Sequence, residues 1–265
     1  MDNQAIGVSS LFSIRDKIAL VTGGSRGIGL MIARAYVEAG ATVYITSRTA
    51  EVCDAVAEEL SEIGRCVSLP HDLSTLEGVQ SLVTAFGDRE EKLHILVNNA
   101  GAAWGEPIET FPEKGFDKIT DLNLKSLFFL TRDLLPLLEK AATVADPARV
   151  INIGSIDGLR VPFVPNYSYA AAKAAVHHLT RMLAVHLGGR KITVNAVAPG
   201  FFPSKMTGHL LENYRDTFEK TCPLGRIGEP ADMAGIAVFL ASRAASYING
   251  AVIPVDGGHC LKTEA

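Results

Sequence analysis

The sequence predicts an α/β domain: a doubly wound parallel sheet of seven strands with helices on both faces. Three observations predict it. Short apolar runs alternate with helix-spaced segments along almost the whole chain. The first of those runs is followed at once by a glycine-rich turn that opens a helix. No linker, internal repeat or low-complexity tract divides the 265 residues. A strand-helix rhythm of this kind implies parallel strands joined by right-handed crossovers. With 48% hydrophobic and 20% charged residues the chain is long enough for one substantial core. We expect a flexible N-terminal leader over residues 1–14 and a single domain over 15–265.

Taken in order, the first firm element is Lys17-Ile18-Ala19-Leu20-Val21-Thr22, apolar enough for a buried parallel strand. Gly23-Gly24-Ser25-Arg26-Gly27-Ile28-Gly29 follows, and then a helical stretch from Leu30 to Ala39 that stops at Gly40. The alternation continues with a strand from Ala41 to Thr46, a helix from about Ala50 to Ile63 and a strand from Cys66 to Leu69. A helix from about Leu76 to Phe86 and a strand from His94 to Val97 come next. Beyond a Gly/Pro-bearing loop we expect one long helix from about Phe116 to Lys140, then a strand from Val150 to Ile153. A helix from Tyr169 to Leu187 leads to a strand from Ile192 to Val197. An irregular or short-helical excursion from Phe201 to Cys222, a helix from Ala231 to Ser242 and a last strand from Ala251 to Val255 complete the chain.

Composition narrows the function. A net charge of −4 and a pI near 6.0 argue against nucleic acid as a partner, since phosphate backbones call for a concentrated basic face. Cys53, Cys66, Cys222 and Cys260 contain no Cys-x-x-Cys pair, which suits reduced thiols in a cytoplasm. The N-terminus lacks the pattern of an export signal, and no stretch approaches the ~20 unbroken apolar residues of a membrane span. The seven histidines show no metal-ligand spacing; adjacent His177 and His178 face different ways on a helix and read as packing or surface residues. We expect no metal.

Two clusters carry chemistry. A strand, a glycine turn and a helix in that order offer free backbone N–H groups at a helix N-terminus, which can receive a pyrophosphate that the glycines let approach. Tyr169 and Lys173 stand four residues apart in an Ala-rich helix, on one face, with β-carbons roughly 5–6 Å apart. An ammonium beside a phenol can lower its pKa by roughly 1–3 units, which makes Tyr169 a general acid/base candidate. Ser155 ends the strand that precedes this helix, so its hydroxyl emerges at a carboxyl edge, where open α/β sheets place their sites.

The whole set resembles the single-domain branch of the short-chain dehydrogenases/reductases, a Rossmann-like family, over roughly residues 15–258. Thr22 to Gly29 looks like their cofactor turn, Asn98-Asn99-Ala100-Gly101 like their fourth-strand motif, and Pro254-Val255-Asp256-Gly257-Gly258 like their C-terminal signature. Asn123, Ser155, Tyr169 and Lys173 match their catalytic tetrad. Within the family the chain is most similar to 3-oxoacyl-(acyl-carrier-protein) reductases of the rhamnolipid-pathway type, through Ala148 to Ser155 and Ala198 to Thr207. One departure is that Ser155 and Tyr169 are fourteen apart, one more than the commonest family spacing.

The resemblance implies an NADP(H)-dependent reductase. In it Ser155 and Tyr169 meet the carbonyl oxygen, Lys173 lowers the tyrosine pKa and binds the nicotinamide ribose, and Asn123 holds a water that passes protons to the lysine. It also implies cofactor contacts from Gly23, Ser25, Arg26, Gly27, Ile28 and Gly29 in the turn, and from Ser47 and Arg48 after the second strand. Asp72 and Leu73 would meet the adenine, Asn99, Ala100 and Gly101 the adenosine-side ribose, and Pro199, Gly200 and Phe202 the nicotinamide, with Tyr169 and Lys173 shared. The choice of NADP(H) has its own physical ground. The second strand ends in Thr46-Ser47-Arg48-Thr49, without the carboxylate that would repel a 2′-phosphate, while Arg26 and Arg48 can pair with one.

The substrate is expected to be a small-molecule carbonyl compound, a 3-oxoacyl thioester on acyl carrier protein or coenzyme A or a similar hydrophobic ketone. The excursion Phe201 to Cys222 reads as an apolar lid that, with Trp104, Val161, Phe163 and Val164, lines a cleft; packing on the core or on a neighbouring subunit is the other reading. Arg149, Arg190 and Lys191 are the basic candidates for docking an acyl carrier protein. The resemblance further suggests a homotetramer. An alcohol, polyol or steroid dehydrogenase of the same family stays open, as does a non-catalytic NADP(H)-sensing protein, although a sensor has no need of Tyr169 and Lys173 together.

Overall fold

The computed structural model describes residues 7–162 and 164–261, without the side chains of His209 and Leu210. Its elements run α1 (Val8–Leu11), β1 (Ile18–Thr22), α2 (Gly27–Glu38), β2 (Thr42–Thr46), α3 (Ala50–Ser61), β3 (Cys66–Ser68), α4 (Leu76–Gly87) and β4 (Ile95–Asn98). They continue with α5 (Glu113–Thr120), α6 (Ser126–Ala141), β5 (Ala148–Ile153), α7 (Tyr167–Gly188), β6 (Ile192–Pro199), α8 (Gly208–Thr221), α9 (Pro230–Ala241) and β7 (Val252–Val255). The strands form one parallel sheet in the order β3-β2-β1-β4-β5-β6-β7. β1 pairs with β2 on one side and β4 on the other, so the winding reverses there, and a crevice opens beyond the carboxyl ends of the strands.

Two cores arise from the period-two alternation of the strands. Ala19, Val21, Val43, Ile45 and Val97 face Ile32 and Tyr36 of α2, Leu60 of α3 and Met233 and Leu240 of α9. Leu20, Tyr44, Leu96, Val150 and Val194 face Phe86 of α4, Leu130 and Leu134 of α6 and Leu187 of α7.

Three elements differ from expectation. The single helix over 116–140 is two helices, α5 and α6, joined by a π-helical turn, Asp121–Lys125. Apolar periodicity does not reveal one residue of extra winding, and such turns gather at functional sites. The excursion from 201 to 222 holds a 14-residue helix, α8. Within the stretch read as a leader, Val8–Leu11 form a helical turn and Ile14 is fully buried in the first core; residues 1–6 lie outside the described residues.

A correction concerns Arg149. Read as a docking residue, it is 1% exposed at the amino end of β5, where it pairs with Asp146 at 2.9 Å and donates to the Ser242 carbonyl at 2.9 Å. Lys17 joins the same carboxylate at 2.8 Å. Arg190 is ion-paired with Glu139, and with Lys191 it precedes β6, so all three cations sit at the sheet end opposite the crevice.

At the crevice end the layers are pinned by a buried chain of side-chain hydrogen bonds. Asn98 Nδ2 donates to Thr131 Oγ1 at 3.0 Å and to Asn152 Oδ1 at 2.9 Å, and Asn152 Nδ2 donates to Thr180 Oγ1 at 2.9 Å. The chain runs from α6 through β4 and β5 to α7. Asn152→Ala removes two buried side-chain hydrogen bonds, one to Asn98 and one to Thr180, so we expect a loss of about 1–3 kcal/mol in unfolding free energy. Urea titration should show a lowered midpoint at unchanged slope.

Candidate active site

The crevice is a cleft of about 640 Å³, within the roughly 300–1,000 Å³ range of small-molecule sites. One half is built by the turn between β1 and α2. Gly23 and Gly27 hold φ of 65° and 52°, a left-handed conformation that side chains resist. A Cβ on Gly29 would meet the Gly23 carbonyl oxygen at 2.2 Å, so its role is the close approach of helix to turn. Asn99 ties this turn to the end of β4: its Nδ2 donates to the Thr22 carbonyl at 2.8 Å, and Thr22 Oγ1 accepts from the N–H groups of Asn99 and Ala100, both at 2.9 Å. No side chain caps α2, and its first turn holds no carboxylate. Its leading N–H groups and positive dipole end are therefore available to an anion. Arg26 and Arg48 flank the cleft, both exposed, and neither guanidinium has a partner among the described residues. A pyrophosphate and a 2′-phosphate fit this half.

The other half carries Ser155, Tyr169 and Lys173, brought together by the end of β5 and the first turns of α7. Lys173 is 5% exposed, and its Nζ donates to the Ile153 carbonyl at 2.6 Å and lies 5.6 Å from the centre of the Tyr169 ring. Burial pushes its pKa down to about 8. Burial pushes the Tyr169 phenol up to about 12; the Ser155 hydroxyl beside it pulls the other way, and Asp157 adds to the rise. The lowered tyrosine pKa expected from Lys173 is thus not found. Loss of water around the phenol is the largest cause, and the Lys173 ammonium donates to the Ile153 carbonyl.

Most of the sequence-predicted residues converge here. Gly23, Ser25, Arg26, Gly27, Ile28, Ser47, Arg48, Leu73, Asn99, Ala100, Gly101, Pro199, Gly200 and Phe202 line the cleft with Ser155, Tyr169 and Lys173. Three do not line it. Gly29 packs behind the turn. Asp72 is exposed and its carboxylate accepts from Ser74 N at 3.0 Å, leaving His71 and Leu73 as the lining groups of that segment. Asn123, on the π-helical turn and 2% exposed, uses both ends of its amide on the Ala102 backbone, accepting and donating at 2.9 Å. Its side chain holds the segment after β4 in place.

The substrate end differs more. Ser204, Lys205, Met206 and Thr207, all within the excursion read as a lid, line the cleft ahead of α8, and Lys118, which the sequence did not single out, enters from α5. Val161 is 90% exposed, Trp104 lies under the Lys118 ammonium at 5.3 Å, and neither these nor Val164 lines the cleft. Phe163 and the side chain of Leu210 lie outside the described residues. Phe201 stacks on Phe218 at 3.7 Å and faces a second cavity of about 480 Å³ between α8 and the end of β7.

Comparison with known proteins agrees with this geometry. The family described as enoyl-(acyl carrier protein) reductase matches residues 23–259. A rhamnolipids biosynthesis 3-oxoacyl-(acyl-carrier-protein) reductase of Pseudomonas aeruginosa is 47% identical over 252 residues, 94% of this chain and 98% of that protein. The solved Pseudomonas aeruginosa RhlG/NADP active-site complex superposes with a TM-score of 0.92 at 47% identity, covering 95% of this chain and 99% of that one. A gluconate 5-dehydrogenase from Burkholderia cenocepacia, solved with NADP and tartrate, reaches 0.90 at 29% identity over 97% and 100%.

Lys173 supplies a test of the electrostatics. The folded chain releases this proton near pH 8 and the unfolded chain near 10.5, so the unfolded state binds more protons in that window and stability from this group rises with pH across it. Below pH 8 the cost of the buried ammonium is present in full. Lys173→Met should therefore be more stable than the parent at pH 7, by up to about 3 kcal/mol. The advantage should shrink by pH 10, as read by urea titration without nucleotide. A pH-independent difference would refute this origin.

Proposed function

The chain belongs to the short-chain dehydrogenase/reductase family, and we propose that it is an NADPH-dependent carbonyl reductase acting on a 3-oxoacyl thioester or a similar hydrophobic ketone. The observation that carries the reading is the convergence of Ser155, Tyr169 and Lys173 on the same cleft as the unpaired Arg26 and Arg48. NADPH, when bound, supplies the hydride. The chain's own residues then have to receive charge on the ketone oxygen. The Ser155 hydroxyl donates a hydrogen bond to it, and Tyr169 supplies the proton. A phenol held up at about 12 is protonated at neutral pH, the state a donor needs. The Lys173 ammonium, 5.6 Å from the ring centre, favours the phenolate left after transfer. Asn123 serves by fixing Ala102 at the cleft wall.

The 3-oxoacyl reading draws support from the 47% identical relative, whose name carries that activity, and from the apolar Phe202 and Met206 at the substrate end. Acyl carrier protein or coenzyme A is then the group that delivers the substrate. A polyol or other alcohol dehydrogenase is the second reading, favoured by the gluconate 5-dehydrogenase neighbour. The nucleotide-sensing reading is disfavoured by the buried lysine kept beside Tyr169. We place the protein in the cytoplasm, in keeping with its four free cysteines. We expect a homotetramer, for which exposed Phe128 on α6 and Met182 and Val185 on α7 supply apolar surface.

Oxidation of NADPH with an acetoacetyl thioester, longer 3-oxoacyl thioesters, cyclic ketones and 5-ketogluconate tests both readings. Tyr169→Phe should lower kcat by about 10²–10⁴-fold with NADPH binding retained; an active Tyr169→Phe would remove the acid from the mechanism. Turnover confined to the sugar acid would sink the acyl reading. Arg48→Asp should weaken NADPH by tenfold or more, on the order of 1.4 kcal/mol, and leave NADH nearly unchanged. Equal losses for the two nucleotides would show that Arg48 does not read the phosphate.

A further inference from the structure

His177 stands one helical turn beyond Lys173 on α7 and is 2% exposed. Its ring lies under the turn that carries Ser155. A Cβ on Gly154 would come within 2.1 Å of His177 Nε2, and one on Gly158 within 2.9 Å of Cε1. The two glycines that bracket Ser155 thus leave the room the imidazole fills. Into that room the main-chain N–H of Ser155 donates to Nε2 at 3.5 Å.

An accepting Nε2 requires a neutral ring with its proton on Nδ1. The surroundings enforce neutrality: burial first, then the Lys173 and Arg181 cations, hold the imidazole down at about 4. The Gly158 main chain favours a proton on the ring, although Nδ1 makes no bond of normal geometry. Ser155 is also held at its other end, because its Oγ accepts from Asp157 N at 3.1 Å. The residue is extended, at φ −167° and ψ 153°. With the N–H tied to His177 and one Oγ lone pair tied to Asp157, the hydroxyl proton is the group left to point into the cleft.

We propose that His177 is a positioning residue for Ser155, its Nε2 holding the serine backbone so that the hydroxyl donates to the reacting oxygen. The inference rests on the reductase reading for the role of that hydroxyl, while the hydrogen bond itself can be tested without turnover. His177 does not line the cleft; it acts through Ser155.

Four measurements decide it. His177→Leu fills the space but offers no acceptor, and its kcat should fall about tenfold or more, since a misplaced donor forfeits part of the ~10²–10³ such a group contributes. KM, NADPH affinity and melting temperature should change little. His177→Gln, whose side-chain carbonyl can accept from Ser155 N, should recover most of the rate. In a Ser155→Ala background His177→Leu should cost nothing further, because the two act as one unit. Additive losses, full activity in His177→Leu, or no rescue by His177→Gln would each overturn the proposal. The nitrogen-15 spectrum of the His177 ring reads the contact directly: a proton on Nδ1 with a bare Nε2 supports it, and a proton on Nε2 overturns it. A chain that shows the Nδ1 proton yet reduces no ketone counts against the reductase reading and leaves the hydrogen bond standing.

Discussion

Two buried amides, Asn98 and Asn152, meet at 2.9 Å across adjacent strands, and the working end of the molecule depends on that contact. Each is the last or next-to-last residue of its strand. Immediately beyond Asn98 come Asn99 and Ala100, which hold the glycine turn. Beyond Asn152, past Ile153 and Gly154, comes Ser155. The bond therefore sets the spacing between the two halves of the cleft. Its outer ends, on Thr131 and Thr180, are hydroxyls that also donate to the carbonyls of Leu127 and Val176 in their own helices. Each hydroxyl proton is committed to its helix, so each oxygen can only accept from the amides, and the direction of the whole chain is determined.

The electrostatics of the cleft run against folding. Burial lowers Lys173 and raises Tyr169, both shifts that disfavour the charged form. At the other end of the sheet Lys17, Asp146 and Arg149 show the structural use of buried charge: two cations share one carboxylate, and each also donates to a backbone carbonyl at the α9 end. Among the described residues Lys173 has no carboxylate partner. The contrast separates charge kept to close a fold from the charge on which the proposed chemistry draws.

The strand-helix rhythm, the glycine turn and the Ser155, Tyr169 and Lys173 set were legible because each rests on local spacing. The features that were not legible depend on distance in the chain. Asn98 and Asn152 meet only through the pairing of β4 with β5, 54 residues apart. Arg149 reads as a surface cation by residue type, and only the folded arrangement of Asp146, Ser242 and Ser246 gives it a buried place. Asn123 was found by resemblance, but its use of both amide ends on Ala102 needed the loop after β4 to return to the helix. His177, next to an exposed His178, carries no local sign that its ring lies under the turn that carries Ser155.

The π-helical turn at Asp121–Lys125 makes this protein sensitive to length as well as to chemistry. Each residue advances a helix by about 100°, so one residue of extra winding changes the phase between the helix on its amino side and the helix on its carboxyl side. α5 keeps its contact with α7 while α6 keeps its contact with α4. Removing a single residue there, even one whose side chain touches nothing, would rotate one helix out of register with its neighbour. A count, and not any one side chain, is the property the chain must preserve across that stretch.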